Sequence, residues 1–177
     1  MIRFHGKYNP VAFIQHFHAQ SASKRASLGS PMRRNKISSR IRSIQPPLAE
    51  DSVVKVQSTP FLKVQADCTV REATEALHKA KVSSLLVVDK DKLAGIFTER
   101  DFLEKVAHRF PQVASKPVRQ VMTSNPTVVY ETDPVGTAVA AIAVAGHRHV
   151  PVLRMDGTII GVVSPKRVLR FLDEHFD

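Results

Sequence analysis

The chain has 177 residues, 43% of them hydrophobic, which is enough for one ordinary domain or two very small ones. Its single cysteine excludes an intrachain disulfide and fits an intracellular or organellar compartment, and no stretch approaches the roughly 18 consecutive apolar residues of a membrane-spanning helix. The formal charge of +10 suggests a nucleic-acid partner until it is divided: residues 1–50 hold nine Lys and Arg against Glu50 alone, while the remainder holds 17 basic and 15 acidic residues, so the expected folded part has no bulk charge arguing for DNA or an acidic membrane.

The first 50 residues read as a basic, mostly disordered leader. Arg3, Lys7, Lys24, Arg25, Arg33, Arg34, Lys36, Arg40 and Arg42 are interleaved with serines, and Val11, Ala12, Phe13, Ile14 and Phe17 fall along one side of a short helix. This is the profile of an organellar transit peptide, so a mitochondrial location is expected, with a plastid or a cytoplasmic protein with a retained basic tail as alternatives. A retained tail would touch polyanions weakly and with strong salt dependence.

Residues 51–112 then read as one structural unit. Val53 to Ser58 is a short extended piece, and Ala73, Ala76, Leu77 and Ala80 recur at helical spacing. Leu85 to Val88 is short enough for a buried strand, and a turn at Asp89 to Lys92 leads to a second strand, Leu93 to Phe97. Thr98 opens a closing helix with Phe102, Leu103 and Val106 expected on one face. Residues 113–177 repeat the pattern at an offset of 65: Val53, Val56 and Ser58 fall on Val118, Val121 and Thr123, and Leu85, Val87 and Val88 on Val150, Val152 and Leu153. One extra residue in the following turn moves the offset to 66, and Gly95-Ile96-Phe97-Thr98 lies on Gly161-Val162-Val163-Ser164. A duplication of this length specifies architecture. A unit of about 55 residues buries too little alone, so the two copies are expected to pack sheet against sheet as an α/β body with pseudo-two-fold symmetry.

Gly95-Ile96-Phe97-Thr98-Glu99-Arg100-Asp101, closing a unit that contains Ser84-Leu85-Leu86-Val87-Val88-Asp89, resembles the signature of CBS (cystathionine-beta-synthase) repeats. The second copy supplies His149-Val150-Pro151-Val152 and Gly161-Val162-Val163-Ser164, and the resemblance runs from Val53 to Phe176. It implies a βαββα fold in each repeat, an adenosine ligand held between repeats, and association of pairs into a homodimer. A single pair behind a transit-like leader also resembles small organellar CBS proteins that adjust redox partners such as thioredoxins.

Thr98 stands where a strand gives way to a helix, beside free N–H groups that suit phosphate, and Asp101 lies one turn on, where a carboxylate accepts two hydrogen bonds from a ribose diol. The same Thr-x-x-Asp spacing also describes a helix cap, and the tandem context tips the reading toward nucleotide. The resemblance assigns Asp101 to ribose, Thr98 and Arg100 to the near phosphate, and Arg148, His149 and Lys166 to the phosphate tail. Val82 and Ser83 would offer backbone groups to the adenine edge. In the second copy the residue matching Asp101 is Arg167, and a guanidinium accepts no hydrogen bond. One competent site is therefore expected, with Ser164 still able to cap its helix.

His147 and His149 are two apart but lack a third ligand nearby, so no metal is expected. His149, with an ordinary pKa of about 6.5, would gain charge beside a phosphate and tighten binding as pH falls. No Gly-rich phosphate loop or His-Glu-x-x-His occurs, and Cys68 has no sequence partner marking it as a nucleophile, so the chain does not read as an enzyme. Two functions remain. One is a non-catalytic, energy-sensing module that binds AMP, ADP, ATP or a related ligand such as S-adenosylmethionine and controls another protein. The other is an interaction and dimerisation adaptor with no obligatory nucleotide.

Overall fold

A computed structural model describes residues 48–175; the leader through residue 47, and with it the transit reading, lies outside them. A 3-10 turn at Val53–Val56, capped by the Ser52 hydroxyl, leads into β1, Gln57–Ser58. Strand β2, Lys63–Gln65, precedes helix α1, Val70–Ala80. Thr69 and Glu72 form a reciprocal cap at its start, the Thr69 N–H donating to Glu72 Oε2 at 2.8 Å and the Glu72 N–H to Thr69 Oγ1 at 3.2 Å. Strands β3, Ser84–Asp89, and β4, Lys92–Thr98, are joined through Lys90 and Asp91. Both have positive φ, 49° and 62°, which matches the strand twist of a tight hairpin.

The closing helical segment α2 is irregular: Glu99–Asp101 is α-helical, Phe102–Val106 forms a π turn, Ala107–Arg109 tightens to 3-10, and Phe110–Val113 returns to α. The expected shared face of Phe102, Leu103 and Val106 is lost. Val106 is buried and Leu103 is 68% exposed, because the wider π turn breaks the 3.6-residue period on which that expectation rested.

The second half repeats the order. A 3-10 turn at Val118–Gln120 is followed by β5, Thr123–Ser124, β6, Val129–Tyr130, and helix α3, Val135–Ala145. Then come β7, Val150–Leu153, β8, Ile159–Val163, and helix α4, Pro165–Asp173. Even the helix ends correspond: α1 stops at Lys81 with φ 52° and α3 at Gly146 with φ 68°, 65 residues apart and both in the left-handed conformation that terminates helices.

The sheets do not follow the chain halves. Their orders are β2-β3-β4-β5 and β1-β8-β7-β6, so each half lends its first strand to the other. β1 pairs antiparallel with β8, Gln57 opposite Val163, and β5 with β4, Ile96 opposite Thr123. The exchanged strands cross close to a glycine in each sheet. A Cβ at Gly95 would lie 2.5 Å from Met122 Sδ and 2.8 Å from the Thr123 carbonyl oxygen, and one at Gly161 would run into the Gln57 side chain.

Strand alternation distributes the core. Leu85, Val87 and Phe97 face α1 and α2 with Val70, Ala73 and Leu77. Val150, Val152 and Val163 face α3 and α4 with Val135, Ala138, Val168 and Phe171. Between the sheets, Leu86, Val88 and Ile96 meet Leu153, Ile159 and Val162. This is the expected sheet-on-sheet packing, and it brings the starts of α2 and α4 to one cleft.

Candidate functional site

That cleft encloses about 570 Å³, within the range of small-molecule sites. From the first half it is lined by Ser83, the end of β4 with Thr98, and the first turns of α2 with Glu99, Arg100, Asp101, Glu104 and Lys105. From the second half come Thr123, the segment Gly146 to His149, and the start of α4 from Ser164 to Lys166. Thr98, Arg100, Asp101, Ser83, Arg148, His149 and Lys166 are thus gathered around one space, although up to 83 residues separate them in the chain. Val82 stands apart. It is not among the lining residues, its N–H donates to the Leu77 carbonyl at 3.2 Å, and its side chain packs on the first core cluster.

Asp101 is the one charged side chain buried among the described residues, at 6% exposure. Thr98 and Asp101 form a full reciprocal cap. The Asp101 N–H donates to Thr98 Oγ1 at 3.1 Å, while the Thr98 N–H and hydroxyl donate to Asp101 Oδ2 at 3.0 and 2.6 Å. The cap that the tetrapeptide spacing allows is therefore formed. The other oxygen, Oδ1, accepts from Lys105 Nζ at 2.6 Å and Thr123 Oγ1 at 2.8 Å. Burial pushes this carboxyl up, but the donors Lys105, Thr98 and Thr123, with the Lys105 charge, outweigh it and hold it below its ordinary value.

The cationic rim has three settings. Arg100 is exposed and paired with Glu104 at 2.7 Å. Arg148 and Lys166 are exposed and contribute charge from the second half. His149 is half-buried, and its Nε2 lies 2.9 Å from Ser83 Oγ, tying the halves together across the cleft. Its Nδ1 is buried without a partner among the described residues. Burial pushes its pKa down, against Glu99 and with help from Arg148. Desolvation thus favours the neutral ring, and a phosphate beside His149 would have to overcome that burial before the ring gains charge. His147 also lines the cleft, its Nε2 3.0 Å from Thr127 Oγ1. Among the described residues no group of three His, Cys, Asp or Glu is placed to hold a metal, and no helix is long and apolar enough to cross a membrane. The Cys68 thiol is pushed up to about 11 by burial and by Glu72 and Asp67, which leaves it protonated and unreactive at neutral pH.

The corresponding place in the second half is built differently. Arg167 Nη2 donates to the Gln57 carbonyl at 2.7 Å. Gln57 corresponds to Met122, whose carbonyl lies 3.4 Å from Lys105 Nζ, so one guanidinium stands where the first half has an Asp101–Lys105 pair. Ser164 does not cap with its side chain. The Arg167 N–H donates instead to the Ser164 carbonyl at 3.0 Å, which removes the donor that a serine hydroxyl would have taken.

Two site residues were missed from sequence. Lys105 had a signal, being four residues after Asp101 on a helix. Thr123 had none, because its approach depends on strand exchange.

The chain belongs to the CBS domain family, whose pattern matches residues 53–108 and 118–174. A 17.7 kDa protein of Acidianus ambivalens is 30% identical over 125 residues, covering 70% of this chain and 74% of that protein. The mitochondrial protein CBSX3 of Arabidopsis thaliana is 31% identical over 115 residues, which are 62% of this chain and 55% of CBSX3. Other curated relatives are longer, the match spanning 22% of the Arabidopsis protein CBSCBSPB1. Among solved structures, CBSX2 in complex with AMP superposes with a TM-score of 0.61 at 25% identity, covering 70% of this chain and 96% of that one. The CBS domain pair of protein MJ0100, in complex with 5′-methylthioadenosine and S-adenosyl-L-methionine, gives 0.60 at 25% identity with the same coverage.

Proposed function

We propose that this CBS pair is a non-catalytic regulatory module that binds one adenine nucleotide in the cleft between its repeats and thereby controls a separate protein. The observation that carries this reading is the meeting, around about 570 Å³, of Thr98 and Asp101 from one half with Arg148, His149 and Lys166 from the other. A sugar-phosphate there would touch both halves at once, which is what a ligand must do to bias their arrangement. The CBSX2 complex with AMP supports this ligand class, and the MJ0100 complex with 5′-methylthioadenosine and S-adenosyl-L-methionine supports the broader one of adenosyl compounds. The basic leader and the likeness to mitochondrial CBSX3 support a mitochondrial location. Leu103 and Leu169, at corresponding positions of α2 and α4 and 68% and 66% exposed, support a homodimer in which those apolar side chains are covered. A thioredoxin-like redox protein is the partner class we carry forward.

A second reading, an adaptor without obligatory nucleotide, is favoured by one observation: the Asp101 carboxylate already has four internal donors. Calorimetric titration of the full chain with AMP, ADP, ATP and S-adenosylmethionine separates the two. The sensor reading expects one adenine nucleotide per chain, with Arg148→Ala weakening AMP about tenfold and adenosine little, as befits loss of a phosphate contact worth about 1.4 kcal/mol. Absence of binding by any of the four would overturn it and leave the adaptor.

A further inference from the structure

Asp101 has no acceptor capacity left over. A carboxylate offers about four lone-pair sites, and all are taken: Oδ2 by the N–H and hydroxyl of Thr98, Oδ1 by Lys105 and Thr123. A ribose diol can reach Asp101 only by replacing donors. The two on Oδ2 come from Thr98 and make up one arm of the reciprocal cap at the start of α2, which their departure would give up. Those on Oδ1 come from the next turn and from the exchanged strand β5. Of these, Lys105 is the movable one: its side chain is 36% exposed and carries its ammonium on a flexible four-carbon stem.

We infer that Lys105 is a specificity-determining residue that an incoming anionic group must draw off Asp101, so that the cleft takes phosphate-bearing adenine nucleotides and rejects neutral or sulfonium adenosyl compounds. The inference rests on the nucleotide reading of this cleft and deepens it. When the ligand carries a 5′-phosphate, the ammonium exchanges one anion for another, and the diol supplies Asp101 with the donors it loses. A neutral nucleoside breaks the ion pair of a carboxylate that is 6% exposed and gives the ammonium nothing in return. A sulfonium adds a further cation to a rim that already holds Arg148 and Lys166. The nearest acid on its own helical segment, Glu104, offers Lys105 little alternative, since it is engaged by Arg100 at 2.7 Å. The π turn of Phe102–Val106 holds Lys105 within reach of the Met122 carbonyl and Thr123 hydroxyl, at 3.4 and 3.3 Å, as well as of Asp101.

The test titrates the full-length wild type, Lys105→Gln and Lys105→Arg with AMP, adenosine and S-adenosylmethionine. Glutamine can still donate to Asp101 but brings no charge, and arginine keeps the charge should the neutral variant fold poorly. The wild type is expected to bind AMP at least about tenfold more tightly than adenosine or S-adenosylmethionine, a difference of about 1.4 kcal/mol. Lys105→Gln should weaken AMP, tighten adenosine and narrow their ratio severalfold, the remainder being held by Arg148 and Lys166, while Lys105→Arg keeps the wild-type order. An AMP-to-adenosine ratio unchanged in Lys105→Gln, or a wild type that prefers the sulfonium, overturns the role of Lys105 and leaves the nucleotide site standing. Failure of the wild type and both variants to bind any of the three overturns the role of Lys105, and failure with ADP and ATP as well overturns the nucleotide reading too.

Discussion

Removing the Asp101 carboxylate should expose how unequal the two halves are. Asp101→Ala deletes the cap at α2, a loss of about 1 kcal/mol at a typical helix. It also leaves the Lys105 ammonium and the Thr123 hydroxyl without the acceptor at 2.6 and 2.8 Å. Breaking a fully buried ion pair costs about 3–5 kcal/mol, but Lys105 is 36% exposed, so water recovers much of that cost. The expected total is about 2–4 kcal/mol, whereas Ser164→Ala, at the corresponding start of α4, should cost less than about 0.5 kcal/mol because its hydroxyl makes no cap bond. Urea denaturation of the full chain at pH 7 measures both. Because the Asp101 carboxyl is held below its ordinary value, its contribution is complete above the unfolded carboxylate range, near about pH 4, and disappears as pH falls through the folded value. The gap between wild type and Asp101→Ala should therefore be constant from pH 5 to 8, as roughly estimated from that range, and close below it. A loss under about 0.5 kcal/mol for Asp101→Ala, or equal losses at the two positions, would refute the asymmetry argued from these hydrogen bonds.

Three further outcomes follow from the same geometry. Gly95→Ala and Gly161→Ala should each destabilise by about 1–3 kcal/mol, because the new Cβ meets the Thr123 backbone oxygen at 2.8 Å in the first and Gln57 Cβ, fixed to the backbone of the exchanged strand, at 2.8 Å in the second; thermal unfolding measures both. Arg167→Ala removes the charged donor on the Gln57 carbonyl at 2.7 Å and should cost about 1–2 kcal/mol, with amide exchange accelerating in β1 and β8 before the rest of the fold. His149 has its folded pKa pushed down chiefly by burial, so the unfolded chain takes up the proton first. Stability should then fall as pH drops below about 6.5, and His149→Gln should flatten that slope in denaturation curves taken between pH 7 and 5.

Much of this was legible in the residues because local patterns agreed with the global one. The duplication at offset 65 fixed which strands and helices correspond. The unbroken apolar run Leu85 to Val88 marked a buried strand, and the small size of each unit pointed to sheet-on-sheet packing. The gathering of Thr98 and Asp101 with Arg148, His149 and Lys166 was legible only through resemblance, since periodicity carries no information about contacts across 50 residues. Strand exchange was not legible at all: β1 and β5 are two residues long, and nothing in Gln57-Ser58 or Thr123-Ser124 says which edge they join. The saturation of Asp101 escaped for the same reason, because the last of its four donors, Thr123, arrives on the exchanged strand. The exposure of Leu103 escaped because a single π turn has no sequence mark at this length.

The reciprocal loan of β1 and β5 makes the duplicated halves an obligate couple. Split between residues 113 and 117 and produced separately, each piece would present an open sheet margin and a bare apolar floor, inviting aggregation. Supplied together, the same pieces contain every missing edge and should reassemble, like two hands that can only clasp each other. Evolution could therefore copy this unit in twos but not prune it to one.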